Sequence, residues 1–328
     1  MPAWRWPVLV MAVAALASAL LAAGVGPARA QTDQGGIDLR PRWTPGQAAT
    51  FEFVNLRSST SSLELPDRTI DADFEIRSEG QVRWVVDRVE EDGSARCTMT
   101  LEWMSATLVT PDGQTLTNDT RKGSGDDPTM HGLLKAMASK ALTITVAADG
   151  TVTAVDGLKA MRDAADDAEM VPDEVDFNET ATELAVISGV PGLIAVGDDW
   201  SVEHTWNYGI VGMDVGSLDQ EWTYTLEGVE TIEGVAVAVV RGEADRIKLD
   251  ASAVAEQQPE GMPDIGVRLT DASATSQVLF DLSRREAVGR YGTLATTLEL
   301  RIPLPNGQTI RRTVTETIEG TTVRMAEE

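Results

Sequence analysis

Residues 81–104, QVRWVVDRVEEDGSARCTMTLEWM, read as two antiparallel strands folded back at Asp92-Gly93. An Asp-Gly pair between alternating apolar residues signals a tight hairpin, because both central residues of a type I′ turn need φ > 0 and its twist matches that of the strands. With Glu91 opposite Ser94, counting outward sets Val86 against Met99, Trp84 against Leu101 and Val82 against Trp103. Arg83 and Glu102 then pair on the other face. A one-residue slip would invert the faces, so the apolar set pins the register. Cys97 falls on the apolar face and is the only cysteine, so the fold has no internal disulfide and rests on its core. No basic group is placed to lower its pKa, and it reads as a buried, inert thiol.

Working outward toward the N terminus, Trp43-Thr44-Pro45-Gly46 predicts a turn at which order begins, feeding a strand over 49–57 with Phe51 and Phe53 on one face. Ser and Thr crowd residues 58–67, which predicts a loop. Over 69–77, Ala72, Phe74 and Ile76 alternate with Asp71, Asp73 and Glu75. Acids at period two fit a solvated strand face, since no glycine-bearing ligand loop accompanies them to make a calcium site.

Toward the C terminus the chain continues extended through 105–109, turns at Pro111-Asp112-Gly113 and returns over 114–118. Asp127 followed by Pro128 predicts an N-cap and first position of a helix to about residue 140, with Leu133, Leu134 and Met137 on one side. A second hairpin joins 142–146 to 151–155 through a three-residue loop at Ala148-Asp149-Gly150, setting Val146 against Val152 and Ile144 against Ala154. Helical spacing predicts two more helices, over 156–170 and 173–188.

After Gly189-Val190-Pro191-Gly192 the pattern restarts. Val196-Gly197-Asp198 leads into a strand as Pro45-Gly46-Gln47 does, and EWTYTLEGVETIEGVAVAVVRGE at 221–243 echoes the central hairpin. Trp222 answers Trp84, Val229 answers Val89 and Gly234 answers Gly93. This reads as two β-repeats, 41–192 and 193–328, behind a signal peptide (1–30) and a flexible leader (31–40); the alternative is that two half-buried hairpins look alike by coincidence. Residues 246–266 are poorly patterned and read as surface loop. A strand over 276–282 carries Val278, Phe280 and Leu282 on one face. The final hairpin, 296–304 with 308–318, closes on Pro305-Asn306-Gly307, where a three-residue loop sets Ile302 against Ile310 and Leu298 against Val314. The fold class is mainly β (α+β): strongly curved antiparallel sheets or partly closed barrels, with two or three helices between the repeats.

Residues 1–30 combine Arg5, an apolar run and the small-residue site Ala28-Arg29-Ala30, the pattern of a cleaved secretory signal; an uncleaved anchor is the alternative. The expected location is therefore exported, periplasmic or extracellular, with no integral membrane segment after cleavage. Of 27 basic residues the signal holds Arg5 and Arg29, leaving 25 against 52 acidic ones, a formal charge of −27. Such a surface repels nucleic acid and anionic membrane, and serves solubility.

Several of these turns and strands carry a family likeness. The Trp43-x-Pro45-Gly46-Gln47 lead into Phe51-x-Phe53, the Val89-x-x-Asp92-Gly93-Ser94-Ala95 turn, the hairpin from Leu142 through Asp149-Gly150 to Val152, and the late Gly197-Asp198-x-Trp200 together resemble an uncharacterised family of exported bacterial proteins, known as a domain of unknown function. The resemblance transfers no catalytic residue. At the level of fold alone, long antiparallel strands with helices tucked between them are similar to the half-barrels of periplasmic lipoprotein carriers, which implies nothing about function by itself.

The chemistry-bearing residues are sparse. His131 starts a predicted helix; His204 shares a strand face by parity with Trp200, Val202 and Trp206, and these four form a candidate pocket lining, against the simpler reading of His204 as a partly buried structural residue. No nucleophile elbow, zinc-protease, P-loop or dinucleotide pattern occurs, and no two acids are singled out as a glycosidase pair. Asp126-Asp127 and Asp198-Asp199 read as a helix cap and a strand lead-in, so no metal or cofactor is expected. Strands with one apolar face and few helices to cover them favour a non-enzymatic binding or carrier protein of the cell envelope, with an apolar concavity for a lipid, lipoprotein or polypeptide. A structural or protein-interaction module of the envelope is the alternative, and a hydrolase with an unrecognised site the third reading.

Overall fold

The computed structural model describes residues 36–138, 140–157, 159, 187–210, 213–256, 265–304 and 308–325. The expected signal peptide, over 1–30, and nearly all of the two helices expected over 156–188 fall outside these. In order the elements are β1 (Ile37–Asp38), β2 (Ala48–Glu64), β3 (Thr69–Val89), β4 (Ala95–Val109), β5 (Thr115–Asp119), α1 (Pro128–Ala138), β6 (Ala141–Val146) and β7 (Val152–Asp156). There follow β8 (Leu193–Ile194), β9 (Asp199–Ile210), β10 (Met213–Ile232), β11 (Val235–Asp250), α2 (Ser252–Glu256), β12 (Gly266–Asp281), β13 (Glu286–Pro303) and β14 (Thr309–Arg324).

Twelve strands form one open antiparallel sheet in the order β7-β6-β4-β3-β2-β14-β13-β12-β11-β10-β9, with β5 beside β4. The last long strand thus pairs with the first, β14 against β2, and this seam joins the two halves of the chain. The mainly β, strongly curved architecture is the one the alternation of side chains predicts.

The first half buries Phe51, Phe53, Val82, Trp84, Val86, Cys97, Met99 and Leu101 with Leu142, Ile144 and Val146. Helix α1 lays Met130, Leu133, Leu134 and Met137 on this surface, each fully or almost fully removed from water, which stabilises by about 1.5–3 kcal/mol per large apolar side chain. Its N terminus is held as predicted, Asp127 Oδ1 accepting from the backbone N–H groups of Thr129 at 2.9 Å and Met130 at 3.0 Å. The concavity of this half is therefore filled by its own helix.

The central hairpin keeps its faces but not its register. Glu90 N donates to Ser94 O and Gly93 N to Glu90 O, a three-residue loop with Gly93 at φ 85°, in place of the expected two-residue turn. An extra residue at Asp87 shifts the pairing once more in the same direction, giving Val86 opposite Cys97, Trp84 opposite Met99 and Val82 opposite Leu101. Two single steps restore parity, so the apolar set stays inside. Glu102 is a further bulge; it turns Trp103 out of the core, where its Nε1 donates to Gln81 Oε1 at 3.0 Å and the Arg121 guanidinium lies 3.8 Å over its ring. Arg83 accordingly faces Thr100 and not Glu102. The type I′ geometry occurs instead at Glu233-Gly234, both at positive φ, between β10 and β11.

Three other expectations need correction. Residues 58–64 continue β2, because Ser59 and Ser61 turn their small side chains inward opposite Phe74 and Ala72. Order begins before Trp43: Ile37–Asp38 pairs with β8, and Leu39 is fully buried. In the second hairpin Val146 meets Val152 as expected, but a bulge sets Ile144 against Val155 and not Ala154. The final hairpin follows the predicted register, Ile302 opposite Ile310 and Leu298 opposite Val314.

The turns that lead into the two halves share one hydrogen-bond pattern. Gly46 N donates to Val86 O and Val86 N to Gln47 O, both at 2.8 Å; Gly197 N donates to Leu226 O at 2.8 Å and Leu226 N to Asp198 O at 3.1 Å. This aligns Val86 with Leu226, so Tyr224, not Trp222, stands where Trp84 stands.

Candidate functional site

The second half rolls onto itself. Arg57 on β2 donates through Nη2 to the carbonyl of Gly209 on β9 at 2.7 Å, and the hydroxyls of Tyr208 and Thr296 meet at 2.6 Å. β9 is the far edge of the sheet, six steps from β2, so these bonds draw the edge back across the interior into a partly closed barrel. The clasp is charged at its base, where Arg57 forms a two-pronged pair with Glu316. Burial, with the nearby Glu316 carboxylate, pushes the Tyr208 phenol well above its ordinary pKa, so it stays a neutral hydrogen-bonding group.

The ladder between β11 and β12 is incomplete. It runs only from Val237 opposite Asp281 to Glu243 opposite Thr275; beyond this, residues 244–250 remain paired with β10 alone and residues 266–274 with β13 alone. Two sixteen-residue strands thus share seven pairs and then part. The inward side chains along the parted lips, Ala244, Ile247 and Leu249 on one and Val267 and Leu269 on the other, are half-buried apolar groups of the second core.

A cavity of about 20 Å3 lies where the strands part. Trp206, Trp222 and Tyr224 form one wall; Ala274, Thr275, Ser276, Gly292, Thr293, Leu294, Ile318 and Gly320 form the rest. The aromatic wall is rigid: Tyr224 stacks on Trp200 at 5.5 Å and on Trp222 at 5.9 Å between ring centroids, and the Trp222 indole donates to Gln220 Oε1 at 2.7 Å. The floor is flat because small residues face one another across successive strands: Gly242, Ser276, Gly292 and Gly320 are paired in a row. Ser276 is 6% exposed, and its Oγ has no partner among the described residues; neither has Gln220 Nε2, on a residue 2% exposed.

Of the residues singled out in the sequence, Trp206 lines this cavity. Trp200, Val202 and His204 share its face of β9, Trp200 stacking behind Tyr224, Val202 opposite Trp222 and His204 opposite Gln220. His131 lies buried on α1, remote in the fold from this cavity and part of the first half. The remaining wall residues were not legible beforehand, since they come from β10, β12, β13 and β14. Among the described residues no group of three or more His, Cys, Asp or Glu is placed to hold a metal ion, and no helix is long and apolar enough to cross a membrane.

Residues 92–185 match a family of unknown function, DUF6263. The match bears out the expected likeness to a family of unknown function over the stretch that begins at the central turn and includes α1, β6 and β7; the leads at Trp43 and Gly197 lie outside it. The DUF6263 segment ends before β9, so the rolled half and its cavity lie outside it. No curated protein matches the chain. Solved structures with some likeness include the outer membrane protein OprG from Pseudomonas aeruginosa, 6% identical over 86% of this chain and 99% of that one, with a TM-score of 0.20. Others are a DUF1329 family protein from Desulfovibrio piger, 6% identical over 81% and 83% with a TM-score of 0.12, and the translocator domain of the autotransporter NalP from Neisseria meningitidis, 11% identical over 84% and 88% with a TM-score of 0.16. At TM-scores this low the likenesses carry no argument about this chain.

Proposed function

We propose that this is an exported, non-enzymatic binding protein of the cell envelope that takes an unbranched apolar chain, such as the acyl chain of a lipid, through the parted strands β11 and β12. The observation that carries the reading is the coincidence of two features: the place where the ladder stops is the place where the aromatic cavity lies. Apolar lips lead to an apolar wall; the closed space holds about one water, so a chain would enter as β11 and β12 part further. The flat glycine floor favours a thin chain over a branched or ring-shaped group, and the filled concavity of the first half favours a site in the second. The matching turns at Gly46 and Gly197 support reading the two halves as copies of one unit, of which one kept an opening and the other closed over α1.

The test is a titration of the mature protein, freed of co-purified lipid by unfolding and refolding, with stearate while tryptophan emission is followed. Saturable quenching that is lost in a Trp206→Phe/Trp222→Phe variant supports the reading. Absence of any saturable response, with no lipid carried through purification in native mass spectra, rejects it.

A further inference from the structure

The mouth of the rolled half holds a cation without a counter-ion. On the inner face Val267 of the parted lip lies opposite Leu300, Leu300 opposite Arg312 and Arg312 opposite Leu63, one residue from each of four neighbouring strands. Leu298, Leu300 and Val314 are buried, whereas Leu63, Val267, Ile302, Ile310 and Arg312 are half-buried, so the dry core gives way to water at this row. Arg312 Nε donates to Ser61 Oγ at 2.9 Å, its one hydrogen bond among the described residues, and both Nη atoms stay open to solvent. Burial lowers the Arg312 pKa, and no carboxylate among the described residues opposes it; Arg57, the inward arginine deeper in the same half, has Glu316. A half-desolvated charge left unpaired is costly, and a leucine like those on either side would suit the row better. The outer face repeats the sign. Arg268, Arg301 and Arg311 surround Glu299 and hold its carboxyl below the usual range, the Arg301 hydrogen bond foremost. Set against Glu299 and Glu64, these three arginines leave this end locally positive in a chain of 52 acidic and 27 basic residues.

We propose that Arg312 binds the anionic end of the ligand, so that the ligand class is an acyl chain ending in a carboxylate or phosphate. The inference rests on the acyl-chain reading above and sharpens it by placing the head. The parted seam runs along β12 from Thr275 to Gly266, about 30 Å, with the aromatic cavity at one end and Val267 at the other. Arg312 lies two strand spacings from Val267, about 10 Å, a gap its long side chain narrows. A chain lying between the lips therefore brings its head level with the guanidinium, whose two Nη groups offer the paired donors that a carboxylate or phosphate accepts. Because these Nη groups are open to solvent, the head meets them without any change in the closed cavity. The acidic surface elsewhere repels anions, so a cation at the mouth decides whether an anionic ligand is admitted.

The experiment titrates laurate, dodecyl phosphate and dodecanol, three chains of one length, into the refolded mature protein and into Arg312→Gln and Arg312→Lys, following tryptophan emission. Inorganic phosphate is titrated by calorimetry as the source of the same charge without a chain. The expected result is that laurate and dodecyl phosphate bind the wild type about tenfold more tightly than dodecanol, a charge-assisted hydrogen bond's worth of selectivity. In Arg312→Gln the preference disappears while dodecanol affinity is kept, and Arg312→Lys retains part of it. If dodecanol binds the wild type as tightly as laurate, Arg312 is satisfied by water and this inference falls, with the acyl-chain reading left standing. If the preference survives Arg312→Gln, the head is held elsewhere, as by the outward arginines, and the assignment to Arg312 is wrong. If inorganic phosphate binds the wild type and not Arg312→Gln while no chain binds, the site takes a free anion and a lipid head is excluded. If nothing binds at all, the reading on which the inference rests fails first, and the inference with it.

Discussion

Arg57 on β2 and Glu316 on β14 meet across the seam of the sheet, Nε to Oε1 at 2.7 Å and Nη2 to Oε2 at 2.9 Å, with side chains 7% and 1% exposed. A pair this deep has given up its hydration, and removing one member strands the other charge. Arg57→Met or Glu316→Leu alone should cost about 3–5 kcal/mol, whereas the double replacement should recover most of the loss. Because Arg57 also holds the Gly209 carbonyl, the single Arg57 change should loosen β9 more than Glu316→Leu does. Denaturant midpoints of the three variants, with hydrogen exchange at residues 205–210, would measure this; equal stability of single and double variants would show that the pair acts independently of its charges.

In the central hairpin, Trp84 is 2% exposed and stacks on Trp43 with ring centroids 6.3 Å apart, while Trp103 has been turned outward. Trp84→Ala should cost about 3–5 kcal/mol and Trp103→Ala clearly less, with exposed Arg83→Ala under about 1 kcal/mol. Chemical denaturation separates these readily. A Trp103 loss as large as that of Trp84 would place both rings in the core.

The contrast between these tryptophans marks what the sequence makes legible. Alternation and turn residues determine which face of a strand is apolar, and that reading holds for Val82, Trp84, Val86, Met99 and Leu101. Bulges at Asp87 and Glu102 insert a residue without changing composition, so no pattern reveals them, and each one moves every later partner. Ser59 and Ser61, inward on β2, read as a loop for a related reason: the strand that holds them is β14, with Glu316 opposite Ser59 and Arg312 donating to Ser61, more than 250 residues away. The cavity is hidden in the same manner. Trp206 advertises itself as an aromatic on an apolar face, but Ser276, Gly292 and Gly320 acquire meaning only when β12, β13 and β14 place them in one row.

Asp38 ties the N-terminal segment to the rest of the fold. Its Oδ2 lies 2.8 Å from Arg40 and 2.7 Å from Arg285, and Arg285 also donates to the Arg40 carbonyl. The Arg40 hydrogen bond, aided by Arg285 and opposed by burial, holds the Asp38 carboxyl far below the usual carboxylate range. A depressed folded-state pKa gives stability that is complete above the unfolded value, near 3.8, and fades as pH falls below it. Asp38→Asn should therefore be less stable than wild type at neutral pH, by about 1 kcal/mol, and the gap should narrow on acidification from pH 5 toward pH 2. Thermal melts across that range test it, and a gap independent of pH would assign the effect to packing.

Cys97 is fully buried against Trp84 and Val86, and burial pushes its thiol up to about 12. At neutral pH the thiolate is a negligible fraction, and the sulfur has no path to reagent. A disulfide-exchange reagent should label the native protein only at the rate of unfolding and the denatured protein at once. Fast stoichiometric labelling of the native state would mean that the first core opens locally.

Gly242 tests the rigidity of the cavity wall. A Cβ there would fall 2.7 Å from Tyr224 Cε1 and 3.2 Å from Trp222 Cε3, too close for either ring to remain where it is. In most strands Gly→Ala gains a few tenths to 1 kcal/mol by restricting the unfolded chain. Here Tyr224 is held between Trp200 and Trp222 and cannot swing aside without breaking both stacks, so the sign should reverse. Gly242→Ala should destabilise by about 1–3 kcal/mol, the usual penalty of overpacking, and shift the tryptophan emission because the displaced rings line the cavity. Neutral or increased stability with an unchanged spectrum would show that the aromatic wall yields freely, and with it that the cavity has no fixed shape to select a chain.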